Sequence, residues 1–322
     1  MLTAPLAAAA PPAPAGKEDK SATLRAGFSQ DDTRIRFHSP AITKPGKLVF
    51  LADTHLFRDD ARGEPFRKYS GRMAKAYNKT RQFRSGDATD PEEAFTAVLK
   101  SAKKEKADVL VLGGDILSYP SEAALDWLMA RLRETDIPWI YTAGNHDWHY
   151  EGMEGTSAEL RARWTAKRLA PLYQKNHPMM AVRDLNGVDI VTIDNSTYEI
   201  LPEQLAFFKR HAASGRPMIL CVHIPLYVPG RPLGFGCGHP GWGAAADKTY
   251  AIERRPKWRE KHTAVTMDFH REVFSAPNLL GIFTGHTHRM TMDLHQGIPQ
   301  FVTPPNFGGG HLIVETAPVP VG

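Results

Sequence analysis

The sequence is poor in the features that mark several classes of protein. Its 322 residues include two cysteines, Cys221 and Cys237, too few for a disulfide framework or a four-thiolate zinc site. No run approaches the roughly 18 to 20 apolar residues that a membrane-spanning helix needs. Positive charge is only slightly in excess, with 40 Lys and Arg against 35 Asp and Glu, so anionic partners are tolerated but nucleic acid is not demanded. The composition is near the globular average.

The N-terminal residues differ from the rest of the chain. Residues 1–30 begin with a stretch rich in Ala and Pro, and charged residues first occur at Lys17. We predict a flexible leader here, compatible with the remnant of an export signal although a basic n-region is missing. The sequence leaves open whether the protein is cytoplasmic or exported to the periplasm. Residues 31–322 are predicted to form one catalytic domain.

Apolar runs rich in β-branched residues alternate with segments of helical spacing. The runs that predict strands are 47–52, 108–113, 138–143, 188–193, 218–223 and 279–285. Helices are predicted after Asp90 and Ser121, both suitable N-cap residues, and over 157–170 and 202–214. This alternation predicts an α/β architecture with covered sheets. Three C-terminal strands are predicted to extend one sheet, at 290–294, 298–302 and 311–315.

Two segments are too long to be ordinary connections between such elements. Residues 56–86 carry nine Lys and Arg against three acidic residues, and residues 229–262 are rich in Gly, Pro and basic side chains. Two interpretations stay open for these insertions. They are either solvated basic surface or a pair of lids over a site for an anion.

Five clusters of potential ligands lie at or just after the ends of predicted strands. They are Asp53-Thr54-His55, Gly114-Asp115, Gly144-Asn145-His146-Asp147, His223 and Gly285-His286-Thr287-His288. Side chains that arrive from several strand ends are the usual way in which an α/β sheet builds a site. The ligands are oxygens and imidazole nitrogens, with no thiolate, which suits Mn, Fe or Zn.

The spacing within the clusters suggests how the ligands are shared. In extended backbone, residues i and i+2 point the same way, so Asp53 and His55 could chelate one ion from a single strand end. His286 and His288 could divide between two ions. Asp115 follows a double glycine, and its two oxygens offer about four lone-pair sites, enough to bridge two metals.

In this order, the five clusters resemble the motifs of the calcineurin-like metallophosphoesterase superfamily, and they span residues 53 to 288. The resemblance implies a four-layer α/β/β/α sandwich with two mixed β-sheets and a dinuclear metal centre. It assigns the first ion to Asp53, His55, Asp115 and His288, and the second to Asp115, Asn145, His223 and His286.

The resemblance also implies hydrolysis of a phosphate ester. Two divalent ions and two aspartates leave the centre with a net charge of about +2, which attracts phosphate and lets a metal-bridging hydroxide attack in line. His146 is predicted to be the general acid that protonates the leaving group. Asp147 is predicted to orient or charge that imidazole.

The substrate is less well specified. We expect a small-molecule phosphate ester, with candidate pocket residues Asn145, Arg58, Tyr119, Arg231, Trp242 and Arg289. One alternative is a phosphodiesterase or nuclease acting on nucleotides or polynucleotides, which the basic segment 56–86 favours and the modest net charge opposes. Another is a non-catalytic scaffold on the same fold, which the complete ligand set opposes. Metal identity, the choice between monoester and diester, and oligomeric state stay open.

Overall fold

The structure is a computed structural model that describes residues 27–229 and 262–319. Within these ranges, the strands are β1 (Gly27–Asp31), β2 (Arg34–His38), β3 (Gly46–Leu51), β4 (Thr80–Arg81), β5 (Ala88–Thr89), β6 (Val109–Leu112), β7 (Trp139–Tyr141), β8 (Met180–Leu185), β9 (Val188–Ile193), β10 (Met218–Cys221), β11 (Leu279–Thr284), β12 (Thr291–His295), β13 (Ile298–Val302) and β14 (Leu312–Ala317). The α-helices are α1 (Arg67–Ala76), α2 (Pro91–Glu105), α3 (Glu122–Thr135), α4 (Ser157–Trp164), α5 (Pro202–Ala213) and α6 (Ala264–Ser275).

Two six-stranded mixed sheets form the centre of the molecule. The first has the order β1-β2-β14-β3-β6-β7, and the second has the order β12-β13-β11-β10-β9-β8. In the first sheet, β3, β6 and β7 are parallel. In the second, β9, β10, β11 and β13 are parallel. Each sheet therefore brings the carboxyl ends of several strands to one edge, where the predicted ligands follow.

Alternation along the strands produces four layers. Leu48 and Phe50 of β3 face the second sheet and pack in the core between the two sheets. Val49 and Leu51 face the opposite way and pack against α2 and α3. Helices α5 and α6 cover the outer face of the second sheet, where Phe208 packs on β9 and β10. The predicted α/β/β/α sandwich is confirmed.

The helices begin at the predicted caps. Asp90 accepts hydrogen bonds from the N–H groups of Glu92 and Glu93 at the start of α2. Ser121 accepts one from the N–H of Ala124 at the start of α3. All six predicted core strands are present. The helix predicted over 157–170 is α4 followed by a π-helical turn at Thr165–Leu169.

The prediction that the three C-terminal strands all extend one sheet is wrong. Strands β12 and β13 join the second sheet, whereas β14 lies in the first, between β2 and β3. Val314 pairs with Leu48 of the antiparallel β3 and with Ile35 of the parallel β2. The pattern of β14 indicates a buried strand but does not specify its partners, because any strand with two covered faces satisfies it.

The first described strand lies mostly within the segment that the sequence predicts to be a flexible leader. Strand β1 starts at Gly27, within the predicted leader, and forms an antiparallel hairpin with β2. Phe28 of β1 packs edge-on against Phe301 of the second sheet, with ring centroids 5.6 Å apart. The described structure therefore includes the last four residues of the predicted leader. Residues 1–26 lie outside the described ranges.

The basic segment 56–86 forms the short helix α1 and, through β4, a two-stranded ribbon with β5. Five of its nine basic side chains pair with carboxylates: Arg58 with Glu92, Arg62 with Asp60, Arg67 with Glu64, Arg72 with Glu151 and Arg84 with Asp32. Much of the local positive charge is therefore neutralised. Most of the second insertion, residues 230–261, lies outside the described residues. Within the described ranges, no helix combines the length and apolar composition needed to cross a membrane.

Candidate metal centre

The predicted ligands lie in loops that leave the carboxyl ends of the central strands. Asp53 follows β3, and Asp115 follows β6 in the same sheet. His223 follows β10, and His286 follows β11 in the second sheet. Main-chain hydrogen bonds join neighbouring loops, as when the N–H of Asp53 donates to the carbonyl of Gly114 at 3.0 Å. The site therefore forms where the edges of the two sheets meet.

The backbone of the site is left-handed at five of the predicted ligands. These residues, with their φ angles, are Asp53 (58°), His55 (53°), Asp115 (50°), His286 (70°) and His288 (52°). Asp and His tolerate this region better than most residues, but its cost is of order 1–3 kcal/mol for each residue. The expected extended backbone at Asp53 and His55 is therefore wrong. Their side chains reach one cluster through consecutive turns of the loop.

Glycines beside the ligands allow the loops to approach closely. A Cβ at Gly114, where φ is +93°, would lie 2.6 Å from Nδ1 of His223. A Cβ at Gly144 would lie 2.2 Å from Oδ1 of Asp115. The double glycine predicted to permit a tight turn therefore also makes room for an imidazole from the other sheet.

Asp53, His55 and His288 form the first cluster. Nε2 of His55 lies 3.0 Å from Nε2 of His288. Oδ1 of Asp53 lies 3.3 Å from Nε2 of His288 and 3.9 Å from Nε2 of His55. Both oxygens of Asp53 also accept the main-chain N–H of His286, which fixes the orientation of the carboxylate.

Asp115, His223 and His286 form the second cluster. Their ligand atoms all lie within 4.8 Å of one another. Oδ2 of Asp115 is 3.1 Å from Nε2 of His223 and 3.9 Å from Nε2 of His55. Asp115 therefore connects the two clusters. Nδ1 of His223 faces the carbonyl of Gly113 at 2.9 Å, which leaves Nε2 directed at the carboxylate.

These atoms fit a pair of metal ions. Ligands bonded at about 2.0–2.1 Å to a tetrahedral ion lie about 3.3 Å apart, close to the separations within the first cluster. Oδ1 of Asn145 is buried and has no hydrogen-bond partner among the described residues. The recorded ion-pair partners of Asp53 and Asp115 in the described ranges are histidines. The donors are thus oriented for cations that would neutralise two buried carboxylates.

Burial and mutual contact shift the pKa values in the cluster. Burial, and then the charge of His146, lowers the pKa of His55 well below its usual value. Burial opposes a charge on His223, yet neighbouring Asp115 raises the pKa of His223 to about 10. Burial would likewise raise the pKa of Asp115, but the imidazoles, His223 first, hold it well below the usual value. A metal can displace the proton from such a pair.

His146 lies at the rim of the cluster. Its main-chain N–H donates to Oδ1 of Asp115 at 2.8 Å, and its ring lies perpendicular to that of His55, with centroids 4.8 Å apart. Nδ1 is 3.2 Å from the carbonyl of Ser118, so the Nε2 edge of the ring is directed away from that carbonyl. Burial lowers the pKa of His146.

Asp147 is buried beneath two of the ligand loops. Its two carboxylate oxygens accept the main-chain N–H groups of Leu117 at 2.7 Å and Gly144 at 2.8 Å. Burial, followed by the charge of Asp115, raises the pKa of Asp147 to about 7. The predicted partner of this carboxylate was the imidazole of His146. The hydrogen bonds observed for it instead join the loop after β6 to the loop after β7.

Residues 46–290 match the family of calcineurin-like phosphoesterases. The match covers more than half of the chain. The chain belongs to the calcineurin-like phosphoesterase family. It is therefore a phosphoric ester hydrolase that depends on metal, and membership implies a dinuclear centre of the kind that the two clusters can hold. A small-molecule phosphoester fits this family.

Two curated relatives and one solved structure illustrate the similarity of this calcineurin-like phosphoesterase to known proteins. A probable cyclic nucleotide phosphodiesterase of Psychrobacter arcticus is 25% identical over 235 residues, which are 68% of this chain and 73% of the relative. A protein of the same description from Moraxella catarrhalis is 39% identical over 59 residues, which are 18% of this chain and 21% of the relative. The purple acid phosphatase from yellow lupin (Lupinus luteus) seeds superposes with a TM-score of 0.50 at 14% identity, over 89% of this chain and 48% of that chain. This structural likeness concerns the fold alone.

The predicted substrate residues of the phosphoesterase do not converge as the metal ligands do. Arg58 is exposed, and its guanidinium makes two hydrogen bonds to Glu92, at 2.8 and 2.7 Å. Tyr119 is buried, and its hydroxyl donates to the carbonyl of Phe57 at 2.8 Å. Both side chains are therefore engaged in structural contacts. Arg289 is exposed directly after His288, while Arg231 and Trp242 lie outside the described residues.

Three residues that the sequence analysis missed contact the clusters. The ring of Tyr77, from the basic segment, stacks on His55 with centroids 3.9 Å apart and an interplanar angle of 11°. Asn195 binds the backbone at His223, and the hydroxyl of Tyr198 lies 3.3 Å from Nε2 of His286. Asn195 lies just after the carboxyl end of β9, and the ligands were predicted from the same kind of position after other strands. No local pattern marks Tyr77 or Tyr198, because their contacts depend on the tertiary fold.

Proposed function

We propose that the two clusters hold the dinuclear centre of this phosphoesterase. Asp53, His55, Asp115 and His288 would bind one ion, and Asp115, Asn145, His223 and His286 would bind the other. The observation that carries this proposal is the position of Asp115, whose Oδ2 lies 3.1 Å from His223 and 3.9 Å from His55. One carboxylate thereby reaches both groups. The mixture of oxygen and imidazole ligands favours Mn, Fe or Zn.

When bound, the ions supply Lewis-acid stabilisation of the phosphoryl oxygens and a nucleophile at neutral pH. The protein contributes the alignment. Asp53 is fixed by the N–H of His286, and Asp115 is fixed by the N–H of His146. Because both carboxylates are buried and aligned before substrate binds, little reorganisation is needed during the reaction.

His146 is assigned as the general acid. Its half-buried ring stands beside His55, and the contact of Nδ1 with the carbonyl of Ser118 directs the Nε2 edge elsewhere. Because the carbonyl can only accept a hydrogen bond, Nδ1 carries the proton at this contact, so Nε2 carries a proton only when the ring is an imidazolium. That form would donate the Nε2 proton to the departing alkoxide or phenoxide and leave the neutral ring. Asp147 supports this role indirectly, since its bonds to Leu117 and Gly144 hold the loop that carries His146.

A phosphodiesterase that acts on nucleotides is the second candidate. The observation in its favour is that the Psychrobacter arcticus relative is described as a probable cyclic nucleotide phosphodiesterase. Polynucleotides are less suitable substrates, because five arginines of the basic segment already pair with carboxylates. A weak dependence of substrate binding on salt would agree with this, since each phosphate of a single strand that is neutralised contributes about −0.7 to the log–log slope.

Metal content and hydrolysis of two chromogenic esters would test the proposal. We expect about two ions per chain and Mn²⁺-dependent hydrolysis of p-nitrophenyl phosphate, bis-p-nitrophenyl phosphate or both, with the preferred ester separating a monoesterase from a diesterase. Asp115→Asn should abolish hydrolysis and reduce metal content. Asp126→Asn is the matched control, because Asp126 is an exposed partner of Arg62. Absence of metal together with inactivity on both esters would contradict the proposal and favour a scaffold.

A further inference from the structure

We infer that separate loops position the two clusters of the metal centre. Asn195 and Tyr198 position the histidines of the second cluster, and Asn306 positions the backbone of the first cluster. The inference rests on the ligand assignment under Proposed function. None of these three residues is itself in the proposed ligand set. They act through the ligands, by fixing the backbone or the ring that carries the donor atom. The loop with Asn195 and Tyr198, residues 194–198, is called the support loop below.

Asn195 holds the backbone on which His223 is carried. Its Oδ1 accepts the N–H groups of His223 at 3.1 Å and Ile224 at 3.0 Å. Its Nδ2 donates to the carbonyl of Ile224 at 2.7 Å. Asn195 is almost fully buried, so loss of its amide would leave these three main-chain groups without partners in a dry environment, which is costly.

Tyr198 contacts the second histidine of the same cluster. Its hydroxyl is 3.3 Å from Nε2 of His286, the histidine that forms the second cluster with Asp115 and His223. The φ angle of Tyr198 is 66°, a strained value for a bulky residue that persists only when its surroundings enforce it. An outer hydrogen bond of this kind selects the tautomer and orientation of a ligating imidazole.

The support loop is itself rigidly fixed. Oδ1 of Asp194 accepts the N–H of Ser196 at 2.8 Å, and the hydroxyl of Ser196 accepts the indole N–H of Trp148 at 2.8 Å. Gln204 of α5 donates to the carbonyl of Asp194 at 2.7 Å. Trp148 lies three residues after the proposed ligand Asn145. The bond from Trp148 thus ties the support loop to the segment that follows Asn145, and the bond from Gln204 ties it to α5.

The first cluster is supported from another part of the chain. Asn306 is fully buried, and its Oδ1 accepts the hydroxyl of Thr54 at 2.9 Å. Its own N–H donates to the carbonyl of Ala52, and the N–H of Phe307 donates to the carbonyl of Asp53, both at 2.9 Å. These bonds fix the left-handed turn between Asp53 and His55.

Because the two sets of supporting contacts share no residue, the variants should weaken different ions. Loss of an outer partner of a metal ligand typically reduces metal affinity about 10- to 100-fold. We expect Tyr198→Phe and Asn195→Ala to reduce the affinity for the ion of the second cluster by about this factor and to change the affinity for the other ion little. Asn306→Ala removes the side-chain bond to Thr54 and should reduce the affinity for the ion of the first cluster. Tyr198→Phe removes one hydroxyl and retains the ring, so its metal binding can still be measured if Asn195→Ala does not fold.

Calorimetric titration of the metal-stripped full-length chain with Mn²⁺ would measure both dissociation constants. His286→Ala and His288→Ala identify which constant belongs to which cluster. Tyr69→Phe is the control, because Tyr69 is on α1 and packs against Tyr150. Tyr198→Phe should raise the same dissociation constant as His286→Ala, but by a smaller factor. Asn306→Ala should likewise raise the same dissociation constant as His288→Ala, by a smaller factor.

The outcomes separate this inference from the proposed function. If the wild type binds two ions but the variants weaken both equally, or neither, the inference is wrong and the ligand assignment stands. Equal weakening with a lower melting temperature would identify the contacts as merely structural. If the wild type binds fewer than two ions, the ligand assignment is wrong and the inference is overturned with it.

Discussion

At the scale of single residues, the metal centre has non-glycine residues at backbone positions whose conformation favours glycine. Asp53, His55, Asp115, His286 and His288 all have positive φ angles. Substitution by glycine would relieve the backbone but remove the donor atom. Hydrogen bonds from neighbouring loops, such as the N–H of His55 to the carbonyl of Asp115 at 2.9 Å, hold these turns in place. At these five positions, the backbone strain is therefore tolerated because the proposed ligand role requires a side chain.

His146→Ala should separate metal binding from catalysis. We expect two bound ions as in the wild type, but turnover of an alkyl phosphate ester reduced by about 10²–10⁴, because general acid catalysis contributes about that factor. Esters of p-nitrophenol should be affected far less, since this leaving group departs without a proton. His177→Ala is the control, because His177 is exposed. Unchanged turnover of the alkyl ester would exclude His146 from proton transfer.

At the scale of elements, capping of α2 is a testable contribution to stability. Both Glu92 and Glu93 donate their N–H groups to Asp90 at 2.9 Å. Asp90→Ala should lower the free energy of unfolding by about 1 kcal/mol, within a range of about 0.5–2 kcal/mol, as measured by urea denaturation. Metal content should not change. Asp90→Ser should recover most of the loss, and a free energy of unfolding that Asp90→Ala leaves unchanged would show that the cap contributes nothing.

The elements also show what the sequence could and could not predict. Strand β9 matches its predicted bounds, because a short continuous run of β-branched residues between turn signals is typical of a buried strand. Asp90 and Ser121 were identified because capping is a local interaction. The placement of β14 between β2 and β3 could not be predicted, since pairing depends on which edges are available in the assembled sheets.

The same distinction applies within the site. The proposed ligands were predicted from residues at strand ends, and the structure brings six of the seven into two adjoining clusters: Asp53, His55 and His288, and Asp115, His223 and His286. Their left-handed backbone was not predicted, because tertiary hydrogen bonds impose it against local preference. The stacking of Tyr77 on His55 brings together the residue that directly follows α1 and the loop after β3. Sequence spacing alone does not specify such a contact.

At the scale of the whole molecule, the centre joins the edges of two separately built sheets. Asp53 and Asp115 come from the first sheet, while His223 and His286 come from the second. A metal ion in either cluster would therefore link loops that belong to both layers. We infer that ion binding stabilises the packing of the sheets as well as the site, because the ions bind only where those edges are correctly opposed.

Removal of metal should consequently lower the melting temperature. An ion present at 100 times its dissociation constant stabilises the fold by about 2.7 kcal/mol, which corresponds to a shift of about 5–11 °C at about 2–4 °C for each kcal/mol. Differential scanning calorimetry with chelator, and then with Mn²⁺ restored, would measure the shift. Asp115→Asn should respond weakly to chelator, because its shared carboxylate is missing, whereas Asp126→Asn should respond like the wild type. Identical melting of the wild type with and without chelator would show that the ions do not link the two sheets, since binding at that junction cannot occur without stabilising it.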